Sequence, residues 1–352
     1  MTMPRSPGVA TRSLTFTYPG SHPHWTYETI PLPIPKNQIL VQVTASTLSS
    51  CDIAILNTQM LWAKPGEKGL GRDFAGVITY VGSNNELKWR VGDEVCGMYY
   101  HPYGAGTLAS HLLLDPNQDA VLRKPEILST FEAASFPLSF SLAYQCLKNV
   151  TLTPSSTVCV FGGTTSIGLF AIQLAKKHFK VKRVVATCSA GESEALALYM
   201  GADDVVDYTR VEERDLIDAV LATAGETMNF DIVVDTVGTT PIIMQRLKDL
   251  TPPKTGWYVT TVGDKGHPDG ASFLSSSSFG KTLVGAIRGP RYKVEGVTSN
   301  LDTLKLGMAL YEQGLLKIVV DSVISWDKFQ EAMNKLQTGG AHGKIVIKID
   351  EF

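Results

Sequence analysis

Paired cysteines, long apolar runs and an excess of one charge sign are all missing from this chain. Its five cysteines include no CxxC or CxxxxC pair, so neither a disulfide framework nor a zinc knuckle is suggested, and a reducing compartment is favoured. No apolar run approaches the roughly 18 residues that a membrane span needs. The formal net charge of -2 gives no electrostatic reason to expect binding to nucleic acid or to anionic lipid. The expected partners are therefore small neutral or hydrophobic molecules.

The N-terminus is also short of acidic residues, because Arg5 and Arg12 precede the first one, Glu28. This pattern is similar to a mitochondrial presequence, but Pro4 and Pro7 would break an amphipathic helix there. A cytoplasmic location is therefore expected, with mitochondrial import or lipid-droplet association left open as alternatives.

The 352 residues are enough for two domains, each with its own core. Residues 38–125 contain short alternating apolar runs interrupted by glycine, which is typical of a distorted β-barrel. From residue 157 onward, strands and helices alternate, which predicts a parallel sheet with helices on both faces. The predicted strands are 158–161, 183–187, 204–206, 231–235 and 257–262, and the predicted helices are 131–147, 166–178, 192–200 and 301–313. One further strand is predicted at 344–349, but periodicity does not indicate to which sheet it belongs.

The strongest local motif is VCVFGGTTSIGLFAIQLAKK, residues 158–177. A buried strand ends at Phe161, a glycine turn follows, and an apolar helix begins near Ser166, which can cap it. The glycines let the backbone approach a pyrophosphate, and the start of the helix offers N–H groups and the positive end of its dipole. The predicted dinucleotide contacts are Gly162, Gly163, Thr164, Thr165, Ser166 and Ile167. Because the spacing is not a strict GxGxxG, a plain strand-to-helix turn is the alternative.

The end of the next strand indicates which dinucleotide is bound. NAD-binding sites place an Asp or Glu about 20 residues past the glycines, where it accepts hydrogen bonds from the ribose and repels a 2′-phosphate. Here residues 187–190 read TCSA. The missing acid predicts NADP(H) as the cofactor, with Ser189 and Tyr208 as phosphate contacts. The following turn weakens this prediction, because it has no Lys or Arg and contains Glu192 and Glu194.

The segment GRDFAGVITYVGSNNELKWRVGDEVCGM, residues 71–98, resembles the Gly-x-(Asp/Glu)-x-x-Gly…Val-Gly-Asp-x-Val signature of the medium-chain dehydrogenase/reductase superfamily. The resemblance continues in order through LSSCDIAIL (48–56), PLSFSLAYQCL (137–147), the glycine turn, DTVG (235–238) and GKIVIKI (343–349). Within the superfamily the chain is similar to zinc-free, quinone-oxidoreductase-like proteins, nearest a fungal branch.

This resemblance implies an α/β fold class with a GroES-like, β-rich catalytic domain and an inserted Rossmann domain that has a doubly wound parallel sheet. The implied boundaries are 1–128 for the first part of the catalytic domain, 129–290 for the Rossmann domain and 291–352 for the return to the catalytic domain. The cleft between the domains would hold nicotinamide and substrate. Relatives commonly dimerise, so a homodimer is an expected assembly.

Zinc-dependent alcohol dehydrogenases share this fold, and their catalytic zinc is held by a Cys, a Gly-His-Glu and a further Cys or His. This chain has Ser49 at the Cys position and Arg72-Asp73 in place of His-Glu. Cys96 is the only cysteine between residues 52 and 145, so a four-cysteine structural zinc loop is missing too. No metal site is predicted. Arg72 and Asp73 are interpreted as an internal ion pair, and Cys51 and Cys96 as buried packing residues.

Without a Lewis acid, hydride addition to an electron-poor double bond is the expected reaction. The hydride of NADPH would go to the β-carbon of an enone or to a quinone, and hydrogen-bond donors would hold the enolate oxygen before it is protonated. The resemblance places Ser49 near nicotinamide and substrate, where relatives often have Asn, and it places Ser141 where a Thr or Ser meets the nicotinamide. The positions that it matches to further cofactor-lining residues are Val237, Val262, Gly263 and Lys344.

The candidate proton donors follow the VGDEV strand. They are Tyr99, Tyr100, His101 and Tyr103, and one of them could donate the proton, although packing or surface roles are the alternative. The tyrosine acid of related enoyl-thioester reductases has no counterpart at 60–63, which argues against a thioester substrate. Two alternative functions remain open: a structural or regulatory NADP(H)-binding protein with weak or no catalysis, and an accessory enoyl reductase.

Overall fold

The computed structural model describes residues 7–57, 66–101, 104–224, 229–262 and 291–350, and within these ranges sixteen strands form three sheets. The smallest sheet contains β1 (Gly8–Phe16), β2 (His24–Pro31) and β4 (Lys68–Gly69), with β1 in the centre. The seven-stranded sheet contains β3 (Ile39–Leu48), β5 (Asp73–Val81), β6 (Glu94–Met98), β7 (His111–Leu114), β8 (Ala120–Arg123), β15 (Val320–Ser325) and β16 (Lys344–Lys348). Its order is β15-β16-β3-β5-β6-β8, with β7 also paired to β3.

The third sheet is parallel throughout. It contains β9 (Thr157–Phe161), β10 (Arg183–Cys188), β11 (Asp204–Asp207), β12 (Ile232–Asp235), β13 (Trp257–Thr260) and β14 (Arg291–Val294). The order β11-β10-β9-β12-β13-β14 is that of a doubly wound Rossmann sheet. The chain first adds β10 and β11 on one side of β9, and it then crosses to add β12, β13 and β14 on the other side. The α/β fold class predicted from the sequence is confirmed. The parallel sheet nevertheless includes β14 and so extends beyond residue 290, where the sequence-based division ended it.

Ten α-helices lie in the described ranges. They are α1 (Ser50–Asn57), α2 (Thr130–Ser135), α3 (Pro137–Leu147), α4 (Ser166–Gln173), α5 (Glu192–Met200), α6 (Glu213–Ala222), α7 (Pro241–Gln245), α8 (Leu247–Leu250), α9 (Leu301–Glu312) and α10 (Phe329–Gln337). A π-helical turn, Leu174–His178, extends α4, and a 3-10 turn, Trp326–Lys328, precedes α10. None of the helices in these ranges has the length and apolar character to cross a membrane.

The helix predicted at 131–147 is two helices, so the prediction of a single helix was wrong. The break falls at Phe136, which is followed by Pro137 at the start of α3. Proline has no N–H to donate within a helix but fits the first helical position, so it ends one helix and begins the next.

The strands of the parallel sheet are buried on both faces. Along β9, Val158 and Val160 pack on one face, in a core cluster that also contains side chains of α3, α4 and α9, whereas Cys159 and Phe161 pack on the other face with α6. Successive side chains of a strand point to opposite faces, so a continuous apolar run is what a doubly covered strand requires.

The strand that periodicity left unplaced, β16, pairs antiparallel with β3, with Ile345 opposite Leu48 and Lys348 opposite Ala45. The C-terminal part of the chain therefore returns to the sheet formed by its N-terminal part, as the resemblance implied. This pairing brings residues 341–344, which precede and begin β16, against the turn that follows β9, where Gly343 forms a bridge with Thr165.

Candidate active site

The turn after β9 depends on glycine at two positions. Gly162 has φ +78°, and a Cβ there would lie 2.5 Å from both Thr236 Oγ1 and Val237 Cγ1. A Cβ at Gly168 would lie 2.2 Å from the carbonyl oxygen of Gly162. Distances this short leave no room for a side chain, so the first turn of α4 packs directly on the backbone of the glycine turn.

Thr165, and not Ser166, caps α4. The Thr165 hydroxyl accepts a hydrogen bond from Gly168 N (3.0 Å) and donates one to Gly162 O (2.9 Å). Ser166 is the first helical residue, and its hydroxyl accepts from Ser139 Oγ (3.0 Å). The prediction that Ser166 can cap the helix was wrong by one position, because the chain still has extended dihedral angles at Thr165 and an N-cap residue needs them.

A cavity of about 610 Å³ opens at this turn. It lies at the carboxyl ends of β9, β10 and β12, where ligands bind in doubly wound sheets, and its volume is typical of the roughly 300–1,000 Å³ of ligand clefts. Apolar walls come from Leu48 and Ala54 in the N-terminal part of the chain and from Leu138 and Leu142 on α3. The cavity therefore combines a backbone suited to phosphate with surfaces suited to a hydrophobic molecule.

Most residues predicted from the sequence lie on this cavity. Those that line it are Ser49, Gly162, Thr164, Thr165, Ser166, Ile167, Ser189, Tyr208, Val237, Val262 and Lys344. Gly163, Ser141, Tyr99, Tyr100 and His101 are not among the lining residues, and Tyr103 and Gly263 lie outside the described ranges. The roles assigned to all of these residues stay predictions.

Two of the residues off the cavity lie just behind its wall. Gly163 N donates to Thr187 O (2.8 Å), and a Cβ at Gly163 would lie 2.8 Å from Ala186 Cβ, so this glycine sets the close packing of the turn on β10. Ser141 is fully buried on α3, and its hydroxyl has no hydrogen-bond partner within the described part of the chain.

Tyr99 and His101 follow β6, and their rings lie in contact at a tilt of 41°, with centroids 4.2 Å apart. His101 Nε2 lies 2.8 Å from Oδ1 of the buried Asp119. Burial, with the charge of Asp119 as a further cause, raises the pKa of Tyr99. Tyr99 and His101 therefore contact each other and Asp119, and neither side chain lines the cavity.

Ser49, at the end of β3, is anchored by Asp52. Both the backbone N–H (2.9 Å) and the hydroxyl (3.0 Å) of Ser49 donate to Asp52 Oδ2, while Gly71 N donates to Asp52 Oδ1 (2.9 Å). Arg72 is buried beside this carboxylate, with its Nε 3.8 Å from Asp52 Oδ1, and it also donates to the carbonyls of Gly69 and Gly71.

The predicted ion pair between Arg72 and Asp73 is therefore wrong, because each residue has another partner. Asp73 Oδ2 lies 2.8 Å from Lys344 Nζ, and both side chains are almost fully buried. Arg72 precedes β5 and Asp73 is its first residue, and the two side chains are held by different partners. Asp73 also accepts from Thr47 Oγ1 (2.9 Å) and from Leu138 N (2.8 Å), so it ties β3, β16 and the start of α3 together.

The loop after β12 is held by a buried carboxylate. Asp235 Oδ1 accepts from Val237 N and Gly238 N (both 2.9 Å), and its Oδ2 accepts from Thr239 Oγ1 (3.1 Å). Burial raises the pKa of Asp235 despite these hydrogen bonds. The carboxylate thus fixes the backbone that presents Val237 to the cavity.

Cys96 is buried, as expected, but Cys51 is only half-buried and lines the cavity. Burial and the neighbouring charge of Asp52 raise the pKa of Cys51 to about 12, so the thiol is protonated at neutral pH. In the described ranges, no group of three or more His, Cys, Asp or Glu residues is arranged to hold a metal ion.

Sequence reasoning missed His342, which lines the cavity from the C-terminal segment. Its Nδ1 lies 3.3 Å from Thr164 Oγ1, and its ring also lies beside Ser193. The available signal was its position next to Gly343 and Lys344 in the GGAHGK stretch, but no local pattern places that stretch beside the glycine turn.

Comparison with known proteins agrees with this fold. A family model described as an alcohol dehydrogenase GroES-like domain matches residues 35–126, and one described as a zinc-binding dehydrogenase matches residues 200–347. Protein AST1 of Saccharomyces cerevisiae is 31% identical over 393 residues, which cover 98% of this chain and 89% of that protein. The chain therefore belongs to the medium-chain dehydrogenase/reductase superfamily of oxidoreductases, and its relatives include this yeast protein.

Solved structures match over nearly the whole chain. The quinone oxidoreductase from Coxiella burnetii has a TM-score of 0.79 and 24% identity, covering 97% of this chain and 100% of its own. A mycobacterial protein solved in complex with NADPH has a TM-score of 0.75 and 19% identity, covering 96% and 99%. At these identities the structures show a shared fold. The superfamily as a whole uses a nicotinamide cofactor.

Proposed function

We propose that this protein is an NADPH-dependent reductase that adds hydride to a small hydrophobic quinone or α,β-unsaturated carbonyl compound without zinc. The observation that carries the proposal is that one cavity is lined both by the glycine turn after β9 and by apolar side chains of the N-terminal part of the chain. A dinucleotide and a hydrophobic substrate would share this cavity, which is the arrangement that hydride transfer needs.

The residues of the turn fit a dinucleotide. The absence of side chains at Gly162 and Gly168 lets the backbone approach a pyrophosphate, and the first N–H groups of α4 have no acceptor within the helix. When bound, the nicotinamide would supply a hydride to the electron-poor carbon of the substrate. Val237 and Val262, which lie on the cavity after β12 and β13, would pack against the nicotinamide end of the cofactor.

Ser49 is the proposed donor to the substrate oxygen. Its hydroxyl lies on the cavity wall and donates to Asp52 in this structure, so it has to turn toward the cavity to hold a developing enolate. Asp52 keeps the Ser49 backbone in place through the Ser49 N–H bond, whichever way the hydroxyl points. The apolar residues around Ser49, such as Leu48 and Leu138, exclude water and favour a hydrophobic substrate.

Preference for NADPH is supported by the end of β10, where Ser189 lines the cavity at the position that an acid occupies in NAD-binding sites. The acids that weakened the prediction, Glu192 and Glu194, are both exposed on α5 and are not among the lining residues. The mycobacterial protein of the same fold binds NADPH.

The test is oxidation of NADPH by the purified protein with a panel of quinones and enones, with the matching saturated ketones as controls. We expect turnover with quinones or enones, little turnover with saturated ketones, and no change after treatment with a metal chelator. The Ser49→Ala variant should lower kcat for the best substrate, while its affinity for NADPH stays the same. Tight binding of NADPH without turnover of any compound would instead favour a structural or regulatory nucleotide-binding protein.

A further inference from the structure

The C-terminal segment that leads into β16 reaches the edge of the cavity at His342. Gly343 N donates to Thr164 O (3.0 Å), which fixes this segment on the glycine turn. Gly343 has φ +113°, and a Cβ there would lie 2.7 Å from Val319 O, so the contact requires glycine. The preceding residue, His342, is therefore presented to the cavity by a fixed backbone.

The imidazole lies between two loops that a dinucleotide would contact. On one side, Nδ1 is 3.3 Å from the Thr164 hydroxyl in the glycine turn. On the other, the ring nitrogens lie 3.3 and 3.4 Å from Ser193 Oγ, at the start of α5. Ser193 in turn accepts a hydrogen bond from Ser189 Oγ (3.0 Å), just after β10. Three hydrogen-bonding side chains thus cluster where the ribose 2′ position is read in doubly wound sheets.

Most acidic residues near this cluster are exposed or paired with a cation. Glu192 and Glu194 flank Ser193 in sequence, but both are exposed whereas Ser193 is buried toward His342. Asp321 accepts the His342 backbone N–H (2.8 Å), and its charge is balanced by an ion pair with Lys335.

Two further acids lie near this end of the cavity. Asp207 is hydrogen-bonded by Thr209 and paired with Arg210, which keep its pKa lowered. Glu213 lines the cavity from the start of α6. Lys344 is held by Asp73, whereas both ring nitrogens of His342 lie close to Ser193.

We propose that His342 and Ser189, which both line the cavity and are both hydrogen-bonded to the buried Ser193, bind the 2′-phosphate of NADPH and so make the C-terminal segment a determinant of cofactor choice. An imidazole offers an N–H donor, and a donor of this kind binds a charged phosphate monoester more strongly than a ribose hydroxyl. The inference rests on the proposed function, since it assumes that a nicotinamide dinucleotide occupies the cavity.

The test compares NADPH and NADH binding by calorimetry in the wild-type protein and in His342→Asn, His342→Lys and His24→Asn. The last variant is the control, because His24 is exposed on β2 outside the cavity. We expect His342→Asn to weaken NADPH binding about tenfold, as for loss of a hydrogen bond to a charged group, and to change NADH binding less than twofold. His342→Lys should restore most of the affinity for NADPH, and His24→Asn should resemble the wild type.

Fragments separate the two phosphates that His342 could reach. His342→Asn should weaken 2′,5′-ADP but not 5′-ADP, since only the first carries the 2′-phosphate. An equal loss for NADPH and NADH would overturn the inference and assign His342 to the pyrophosphate or to a structural role, and so would unchanged binding of both. In either case the wild-type protein would still bind NADPH, so the proposed function would stand. If the wild-type protein bound neither nucleotide, the proposed function itself would fail.

Discussion

Gly168 shows at the level of one residue how the glycine turn is built. Substitution to alanine places a Cβ 2.2 Å from the Gly162 carbonyl oxygen and 3.1 Å from the carbonyl carbons of Gly162 and Gly163, and these backbone atoms leave little room for relaxation. We expect Gly168→Ala to lower the free energy of unfolding by about 1–3 kcal/mol, as overpacking does, and to abolish measurable dinucleotide binding. Urea unfolding and calorimetry check both effects.

The matched control for this substitution is Gly340→Ala. Gly340 is exposed, and its nearest neighbours would lie 3.9 Å from an added Cβ, so stability and binding should stay near the wild-type values. If Gly168→Ala kept full nucleotide affinity, the close approach of α4 to the turn would not be needed for binding, contrary to this account.

Asp235 is a second residue whose surroundings make a specific prediction. Burial raises its pKa, so the folded state holds the carboxyl proton more tightly than the unfolded chain does. Its contribution to stability is therefore full below the unfolded pKa of about 3.9 and is lost as the pH rises through the raised folded pKa. We expect Asp235→Asn to remove this loss, so that the stability of the variant relative to the wild type improves with rising pH.

Urea unfolding at a series of pH values measures this difference. Asp218→Asn is the opposite control, because a hydrogen bond from Arg246 lowers the pKa of Asp218, and its contribution is present at higher pH and lost as the pH falls. A wild-type and an Asp235→Asn protein with parallel pH profiles would show that Asp235 is not perturbed by burial.

At the level of the elements, the buried pair of Lys344 and Asp73 links β16 to β5 and, through Leu138 N, to the start of α3. Lys344→Met leaves an unpaired carboxylate in the interior. We expect a loss of about 3–5 kcal/mol in the free energy of unfolding, as for removal of one partner of a buried pair. Asp73→Asn should also be destabilising, because the Lys344 ammonium then loses its partner.

The double variant distinguishes coupling from separate packing effects. Lys344→Met with Asp73→Asn should lose much less stability than the sum of the two single losses, because no buried charge is left alone. Additive losses in urea unfolding would show that the two side chains do not act as a pair. Lys348→Met is the control, since Lys348 lies on the same strand but is exposed.

The elements also show how far the sequence predicts this structure. Strands β9, β10 and β12 were predictable because continuous apolar runs are what strands buried on both faces need. In contrast, β14 is an edge strand that contains Arg291 and Lys293, so it has no apolar run to detect. The apolar spacing of a helix runs on through the break between α2 and α3. To predict this break from the sequence, Pro137 has to be given more weight than that spacing.

The residues of the candidate site likewise include some that local sequence motifs predict and some that they do not. The glycine turn and Ser189 lie on local motifs, and the structure places both on the cavity. His342 meets Thr164 across 178 positions of the chain, and the partners of Arg72 and Asp73 are likewise set by tertiary packing. Contacts of this kind depend on which strands become neighbours, and residue spacing carries no information about that.

At the level of the whole molecule, the site is formed where the two ends of the chain meet the parallel sheet. The N-terminal part supplies Ser49 and part of the apolar wall, the parallel sheet supplies the glycine turn, and the C-terminal segment supplies His342 and Lys344. The pairing of β16 with β3 holds the first and third of these contributions in one sheet. A cofactor bound here would contact all three parts, so its binding should stabilise the whole fold.

Calorimetric titration of the purified protein with NADPH and with NADH tests the central claim most directly. The account predicts saturable binding of NADPH at one site per chain, tighter than that of NADH, and loss of both in Gly168→Ala with the fold retained. No binding of either nucleotide to the folded wild-type protein would contradict it.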